Sequence, residues 1–229
     1  MKKIVVLTGA GMSAESGLKT FRDANGLWEN HDVMEVASPE GWKRNRALVL
    51  AFYNQRRRQL KEVGPNEGHK ALVRLEHKFE TVIITQNVDN LHERAGSEHI
   101  IHLHGELTKA RSTLNPNLVY DWPDDLKEGD KCEMGSQLRP DIVWFGEAVP
   151  KMEEAARELL YADIIIIIGS SMQVYPAAGL VGQAAPFIPV YYIDPKPAIN
   201  YELSRRSNLT VIKGMAAVEV PKLIDELLK

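Results

Sequence analysis

Five consecutive isoleucines, Ile164–Ile168, constrain the fold more than any other feature of the chain. A strand with one wet face alternates apolar and polar residues. A run without that alternation is buried on both faces, as in a parallel sheet covered by helices. Shorter apolar runs recur at residues 4–7, 81–85, 100–103, 142–145, 190–193 and 209–212. Helical spacing fills two of the gaps, with Met152, Ala155, Ala156 and Leu159 in one and Val218, Leu223, Ile224 and Leu227 in the other. Strands alternating with helices predict an α/β fold built on a doubly wound parallel sheet. Two stretches break the rhythm. Residues 25–78 show helical patterning only, around 47–60 and 69–77. Residues 109–138 are polar and marked by turns at Asn115-Pro116-Asn117 and Asp121-Trp122-Pro123. Both read as insertions that pack together as a smaller unit. The larger part then comprises about 1–24, 79–108 and 139–229 of a single domain.

Composition narrows the partners. A net charge of -3 gives no reason to expect nucleic acid or an anionic membrane. Cys132 is the single cysteine, which excludes an internal disulfide and a Cys-rich zinc site. Met1-Lys2-Lys3 followed by a short apolar run imitates a secretory start, but Thr8-Gly9-Ala10-Gly11 follows at once, so a first buried strand is the better reading. No apolar run is long enough to span a membrane, and a cytoplasmic monomer is the expectation.

Chemistry gathers at the ends of the predicted strands. Gly9-Ala10-Gly11-Met12-Ser13-Ala14-Glu15-Ser16-Gly17 would let backbone approach a pyrophosphate at a helix N-terminus. It departs from the dehydrogenase fingerprint: Ala14 stands at the third glycine position, and no ribose-binding acid follows, so a plain tight turn is the competing reading. Gln86-Asn87-Val88-Asp89-Asn90-Leu91-His92 ends the strand at 81–85, where ligands bind in open α/β sheets and where Asn and Asp also serve as caps. In His102-Leu103-His104-Gly105 the two imidazoles share one strand face, and His104, beside the glycine, suits a general base. A metal site from His92, His102 and His104 has no supporting motif. Val143-Trp144-Phe145-Gly146-Glu147 and Gly169-Ser170-Ser171 complete the set.

These motifs, in this order, resemble the sirtuin family from Lys3 to about Pro221. The resemblance implies a Rossmann-like large domain that binds NAD and a helical small domain formed by the insertions. It implies removal of an acyl group from a protein lysine: the acyl oxygen attacks the nicotinamide ribose, nicotinamide leaves, and free lysine and O-acyl-ADP-ribose result. By the resemblance His104 is the general base, and Asn87 and Asp89 orient ribose, water and nicotinamide. Gly9, Ala10, Gly11, Glu15, Ser16, Thr20, Phe21, Arg22, Trp28, Gln86, Asn87, Asp89, Gly169, Ser170, Ser171, Asp194 and Ala216 would hold the cofactor. Acyl-lysine peptide would add as a strand beside Val143, Phe145, Gly146 and Glu147. Asp194 stands where the family usually has Asn, and Lys19 where it usually has Pro.

Tyr53-Asn54-Gln55-Arg56 resembles the Y-x-x-R of sirtuins that remove succinyl and malonyl groups, with Ala37 as the small residue that widens their acyl pocket. Residues i and i+3 share a helix face, so Arg56 and Tyr53 could together bind a distal carboxylate. A solvated basic helix is the competing reading, since Arg57 and Arg58 follow. The family's two C-x-x-C pairs are absent: Ser112 and Thr113 stand at the first, and the second is reduced to Cys132. No zinc is expected, and apolar packing by Leu114, Leu118, Trp122 and Leu126 is expected to hold the insertion. Protein mono-ADP-ribosyl transfer and a non-catalytic NAD-binding module are the alternatives, with a dehydrogenase the weakest.

Overall fold

The computed structural model describes residues 1–19, 27–28 and 31–229. Six of the apolar runs pair as one parallel sheet: β1 (Lys3–Thr8), β4 (Glu80–Thr85), β5 (Ile100–His102), β9 (Ile164–Ile168), β10 (Val190–Ile193) and β11 (Leu209–Ile212), in the spatial order β11-β10-β9-β1-β4-β5. Val5 pairs with Val82 on one side and Ile165 on the other. The chain leaves β1 toward β5, then crosses back and runs outward from β9. The order therefore reverses between β1 and β9, and a crevice opens at their carboxyl ends.

Alternate residues of the central strands feed opposite faces. Val5, Leu7, Ile165 and Ile167 pack with α7 (Met152–Leu160) and the 3-10 turn Ala177–Gln183. Ile4, Val6, Ile166 and Ile168 pack with α5 (Glu67–Val73) and α9 (Ala216–Leu227). Ile165, Ile166, Ile167 and Ile168 are all 0% exposed, which accounts for the absence of alternation in the run. Each such side chain contributes roughly 1.5–3 kcal/mol by leaving water.

The first insertion is helical. It contains α2 (Val33–Val36), α3 (Pro39–Arg44) and α4 (Arg46–Glu62) after an antiparallel pair of β2 (Leu27–Trp28) and β3 (His31–Asp32). Ser38 and Asn45 start α3 and α4 by accepting the Gly41 and Leu48 amides, each at 3.0 Å. The second insertion corrects the expectation of a helical smaller unit. β6 (Gly105–Ser112), β7 (Val119–Asp121) and β8 (Leu138–Ile142) form an antiparallel sheet in the order β7-β6-β8. The strand expected at 142–145 likewise ends at Ile142, and the residues after it turn.

Apolar packing holds this insertion only in part. Leu126 is 0% exposed, and Leu118 and Trp122 join the cluster around α4, but Leu114 is 62% exposed. Polar clamps do the rest. The Asn54 side chain donates to the Leu126 carbonyl (2.9 Å) and accepts its amide (2.8 Å), as a neighbouring strand would. Buried Arg57 donates to Asn54 Oδ1 (3.0 Å) and the Lys109 carbonyl (3.4 Å). Zinc does not fit here. Cys132 Sγ lies 3.3 Å from Ser112 Oγ and 3.2 Å from Ser136 Oγ, and the two hydroxyls bond each other at 2.8 Å. Ser112 Oγ also accepts the Leu114 and Asn115 amides at 3.1 Å. One thiol and two engaged hydroxyls do not make a tetrahedral structural site. Among the described residues, no helix is long and apolar enough to cross a membrane.

Candidate active site

The turn after β1 is welded to the turn after β9. Gly9 N donates to Ile168 O (3.0 Å) and Gly11 N to Gly169 O (2.8 Å). Gly169 has φ +60°, and a Cβ there would lie 2.3 Å from Met12 N, so only glycine fits. Helix α1 (Gly11–Ala14) is one turn long. From it Ser13 Oγ donates to Asp89 Oδ2 (2.9 Å) and accepts from Asn87 Nδ2 (3.2 Å). Asp89 Oδ1 also accepts the Leu91 amide that opens α6 (Leu91–Ala95). Burial pushes the Asp89 carboxyl up, against these hydrogen bonds. Gln86 Nε2 donates to Ser170 Oγ (3.2 Å), tying the end of β4 to the end of β9. Ser13 lies within the first motif, but nothing in the sequence marks it as the link between the first and second motifs.

His104 follows β5 where Gly105, at φ +81°, turns the chain into β6; a Cβ on Gly105 would lie 2.0 Å from Asp141 O. His104 Nδ1 sits 3.1 Å from the Gln86 carbonyl. A carbonyl only accepts, so Nδ1 carries the proton and Nε2 is left as a base. Burial pushes the imidazole down, so it is neutral near pH 7. The histidine metal site does not form: among the described residues only Glu93, His102 and Glu106 bring three ligand atoms within 4.8 Å, and the Lys109 ammonium already sits 2.8 Å from Glu106.

One cavity of about 820 Å³ runs from the crevice to α4. On the sheet side it is lined by Gly9, Ala10, Gly11, Gln86, Asn87, Asp89, His104, Gly169, Ser170, Ser171, Asp194 and Ala216; on the α4 side by Trp28, Ala37, Tyr53, Arg56, Val143, Phe145, Gly146 and Glu147. Glu15 and Ser16 are not lining residues. Glu15 caps α9 by accepting the Ala217 amide (2.6 Å), and Ser16 accepts from Asn66 (3.1 Å). Thr20, Phe21 and Arg22 lie outside the described residues. The crevice fits a dinucleotide such as NAD: glycine backbone at the switch point, the Ser170 hydroxyl beside it, and the buried Asp194 carboxylate at the end of β10 to accept a ribose hydroxyl.

On the α4 side, Tyr53 is 0% exposed and its hydroxyl accepts Trp144 Nε1–H at 3.0 Å. Burial pushes the phenol well up. The buried Arg56 guanidinium lies 4.7 Å from the Phe52 ring centroid. The Phe145 amide donates to Ala37 O (3.0 Å). Glu147 supports the turn rather than reaching into the cavity with its charge. Its carboxylate accepts from Arg139 (2.6 and 3.0 Å), Arg111 (3.1 Å) and the Trp144 amide (2.8 Å).

Residues 9–176 match the model of the Sir2 family. The chain is 59% identical over 227 residues to the NAD-dependent protein deacylase of Helicobacter pylori (strain ATCC 700392 / 26695), covering 98% of this chain and 99% of that one. Its structure is similar to the crystal structure of a Sir2 homolog–NAD complex, with a TM-score of 0.87 and 37% identity over 99% of this chain and 90% of the other. It is also similar to Sir2Af2 bound to a myristoylated histone peptide, with a TM-score of 0.73 and 31% identity over 99% and 91% of the two chains.

Proposed function

This chain belongs to the Sir2 family and is an NAD-dependent protein deacylase, and we propose that it removes succinyl and malonyl groups as well as acetyl groups from lysine side chains. One observation carries the wider acyl range: Tyr53 and Arg56, one turn apart on α4, line the same cavity as His104. A buried guanidinium favours an anion, and a phenol kept protonated by burial donates to it. The small Ala37 leaves room beside them.

When bound, NAD supplies the ribose carbon that is attacked and nicotinamide as leaving group. The protein's part is placement and proton transfer. His104 Nε2 takes the proton of a ribose hydroxyl, while the bond from Nδ1 to Gln86 holds the tautomer. Asn87, braced by Ser13, orients the ribose, and Asp89 fixes Ser13 and α6. The segment from Val143 to Glu147, held by Arg139 and Arg111, offers backbone to an extended acyl-lysine peptide. The proposal extends to a monomer in the cytoplasm, and the net charge of -3 gives no reason to add nucleic acid or an anionic membrane as partner. The engaged hydroxyls around Cys132 support function without zinc.

The test is nicotinamide release with matched acetyl-lysine and succinyl-lysine peptides, in wild type and Arg56→Met. The expected result is turnover of both by wild type and selective loss of the succinyl reaction in Arg56→Met. Equal use of both peptides by the variant would show that buried Arg56 serves packing and does not select the acyl group. Release with neither peptide would move acceptor-protein ADP-ribosylation to the front.

A further inference from the structure

Three consecutive carbonyls follow β4, and each is gripped from the segment that runs from the end of β5 into β6. Gln86 O meets His104 Nδ1 (3.1 Å), Asn87 O meets His102 Nδ1 (3.3 Å), and Val88 O accepts the Leu107 amide (2.7 Å). His102 ends β5 and His104 lies in the turn that follows it. They differ at the other ring nitrogen. His104 lines the cavity, whereas His102 is not among its lining residues and places Nε2 2.6 Å from Glu93 Oε1 on α6.

A backbone carbonyl and a carboxylate both only accept. A ring held between them must donate from both nitrogens, which makes it an imidazolium, or share one extra proton with Glu93. A cation that is 5% exposed needs such a partner. The groups facing it are Glu93 and His92 on α6, Glu106 and Lys109 on β6, and Asp89 beyond Asn87. Burial opposes the charge, but Glu93 and then Glu106 outweigh it and the ring titrates above the ordinary histidine value. We infer that His102, paired with Glu93, is a positioning residue of the deacylation: it fixes the Asn87 carbonyl and thereby aims the Asn87 side chain at the ribose. Loss of the shared proton leaves one N–H between two acceptors; the carboxylate, the stronger of the two, keeps it, and a bare Nδ1 lone pair then faces the Asn87 carbonyl and releases it. His104 is the histidine that reacts, and His102 is its charged twin that does not.

The inference rests on the role given to Asn87 above, and the experiment separates the two. Nicotinamide release is measured from pH 6 to 10 for wild type, Asn87→Ala, His102→Phe and Glu93→Gln, each with its melting temperature. His102→Phe is expected to lose kcat by about 10- to 100-fold, the scale of an ångström-sized misplacement, with the KM for acyl peptide unchanged. Glu93→Gln is expected to abolish the alkaline limb of kcat, because a neutral ring can then donate Nδ1–H to Asn87 and accept the glutamine amide at Nε2. A merely structural role would lower the melting temperature without moving that limb. An alkaline limb retained unchanged in Glu93→Gln, or wild-type kcat in His102→Phe, with Asn87→Ala inactive, overturns the inference. Full activity in Asn87→Ala instead overturns the role of Asn87 itself.

Discussion

At the β1–β9 crevice the contacts run backbone to backbone: Gly9 to Ile168, Gly11 to Gly169. Around α4 they run side chain to backbone: Asn54 to Leu126, Arg57 to Lys109, Glu147 to the Trp144 amide. Both regions line or flank one cavity. A site made of glycine backbone admits one geometry and no substitutions. A site made of side-chain clamps can be retuned residue by residue while the fold stands. The proposed acyl choice and the means of holding residues 109–138 both belong to the second kind.

The largest effect should come from adding a single carbon to the crevice. Gly169→Ala puts a Cβ against Met12 N and Gly11 Cα, 2.3 and 2.6 Å away, at φ +60°. Overpacking plus the left-handed penalty should cost about 3 kcal/mol or more, seen in thermal unfolding, and should abolish measurable NAD-dependent turnover. Gly146→Ala is the control from the other region: its φ is +88°, but nothing lies within 4 Å of the added carbon. It should cost only about 1–2 kcal/mol. Equal losses in the two variants would break the contrast.

Asn54→Ala comes next. It strands a buried amide and carbonyl of Leu126 together with the Arg57 donor, at about 2–3 kcal/mol. Hydrogen exchange should rise first in residues 122–130 while the crevice stays protected. Loss of protection in both regions at once would mean that the insertion and the sheet unfold as one unit.

The crevice was legible in the sequence because its signals are positional. A pure isoleucine run marks a central parallel strand, and glycines, amides and histidines at strand ends mark where ligands sit. The other half was less legible. Residues 105–112 bury only Leu107, Ala110 and Ser112, a spacing broken by the bulge between Glu106 and Ala110, and their partner at 138–142 lies some twenty-five residues away behind polar turns, so no local pattern announces that pairing. The motif at 143–147 does not announce that the Glu147 side chain anchors it, because the Arg139 and Arg111 partners come from distant strands. Glu15 and Ser16 shared a motif with true lining residues, yet face α9 and Asn66. Asn54 sits inside Y-x-x-R, where attention falls on the flanking residues.

Acid should also separate the regions. His69 on α5 is fully buried, and burial pushes it down to about 4, while His92 on α6 falls well below the ordinary value. A histidine depressed in the folded state contributes stability in full above about 6.5, and loses it as pH falls toward the folded value. Between pH 7.5 and 5.5, His69 alone should remove about 1 kcal/mol. His102, raised by Glu93, acts in the opposite sense, its contribution being lost only as pH rises through its elevated value. The Glu147 clamp is depressed, against burial, by Arg139, so it holds until pH falls below the ordinary glutamate range. Exchange at pH 5.5 should therefore loosen α5 and α6 before β8. Over the same window the acid limb of kcat should lie below pH 6.5, because activity needs neutral His104 and burial depresses it.

The smallest effect should come from the residue a metal site would need most. Cys132→Ser replaces the thiol of the Ser112–Cys132–Ser136 triangle with a third hydroxyl of similar size. Where zinc holds an insertion, each ligand thiol carries folding energy, and losing one dismantles the site. Here the hydroxyls already bond each other, Ser112 accepts the Leu114 and Asn115 amides, and Asn54 carries Leu126. The variant should melt within about 2 °C of wild type, equivalent to under about 1 kcal/mol for a chain of this length. Neither chelator nor added zinc should move either protein. A large drop for Cys132→Ser, together with chelator sensitivity in wild type, would place a metal in the triangle and make the insertion, like the crevice, a region with one permitted solution.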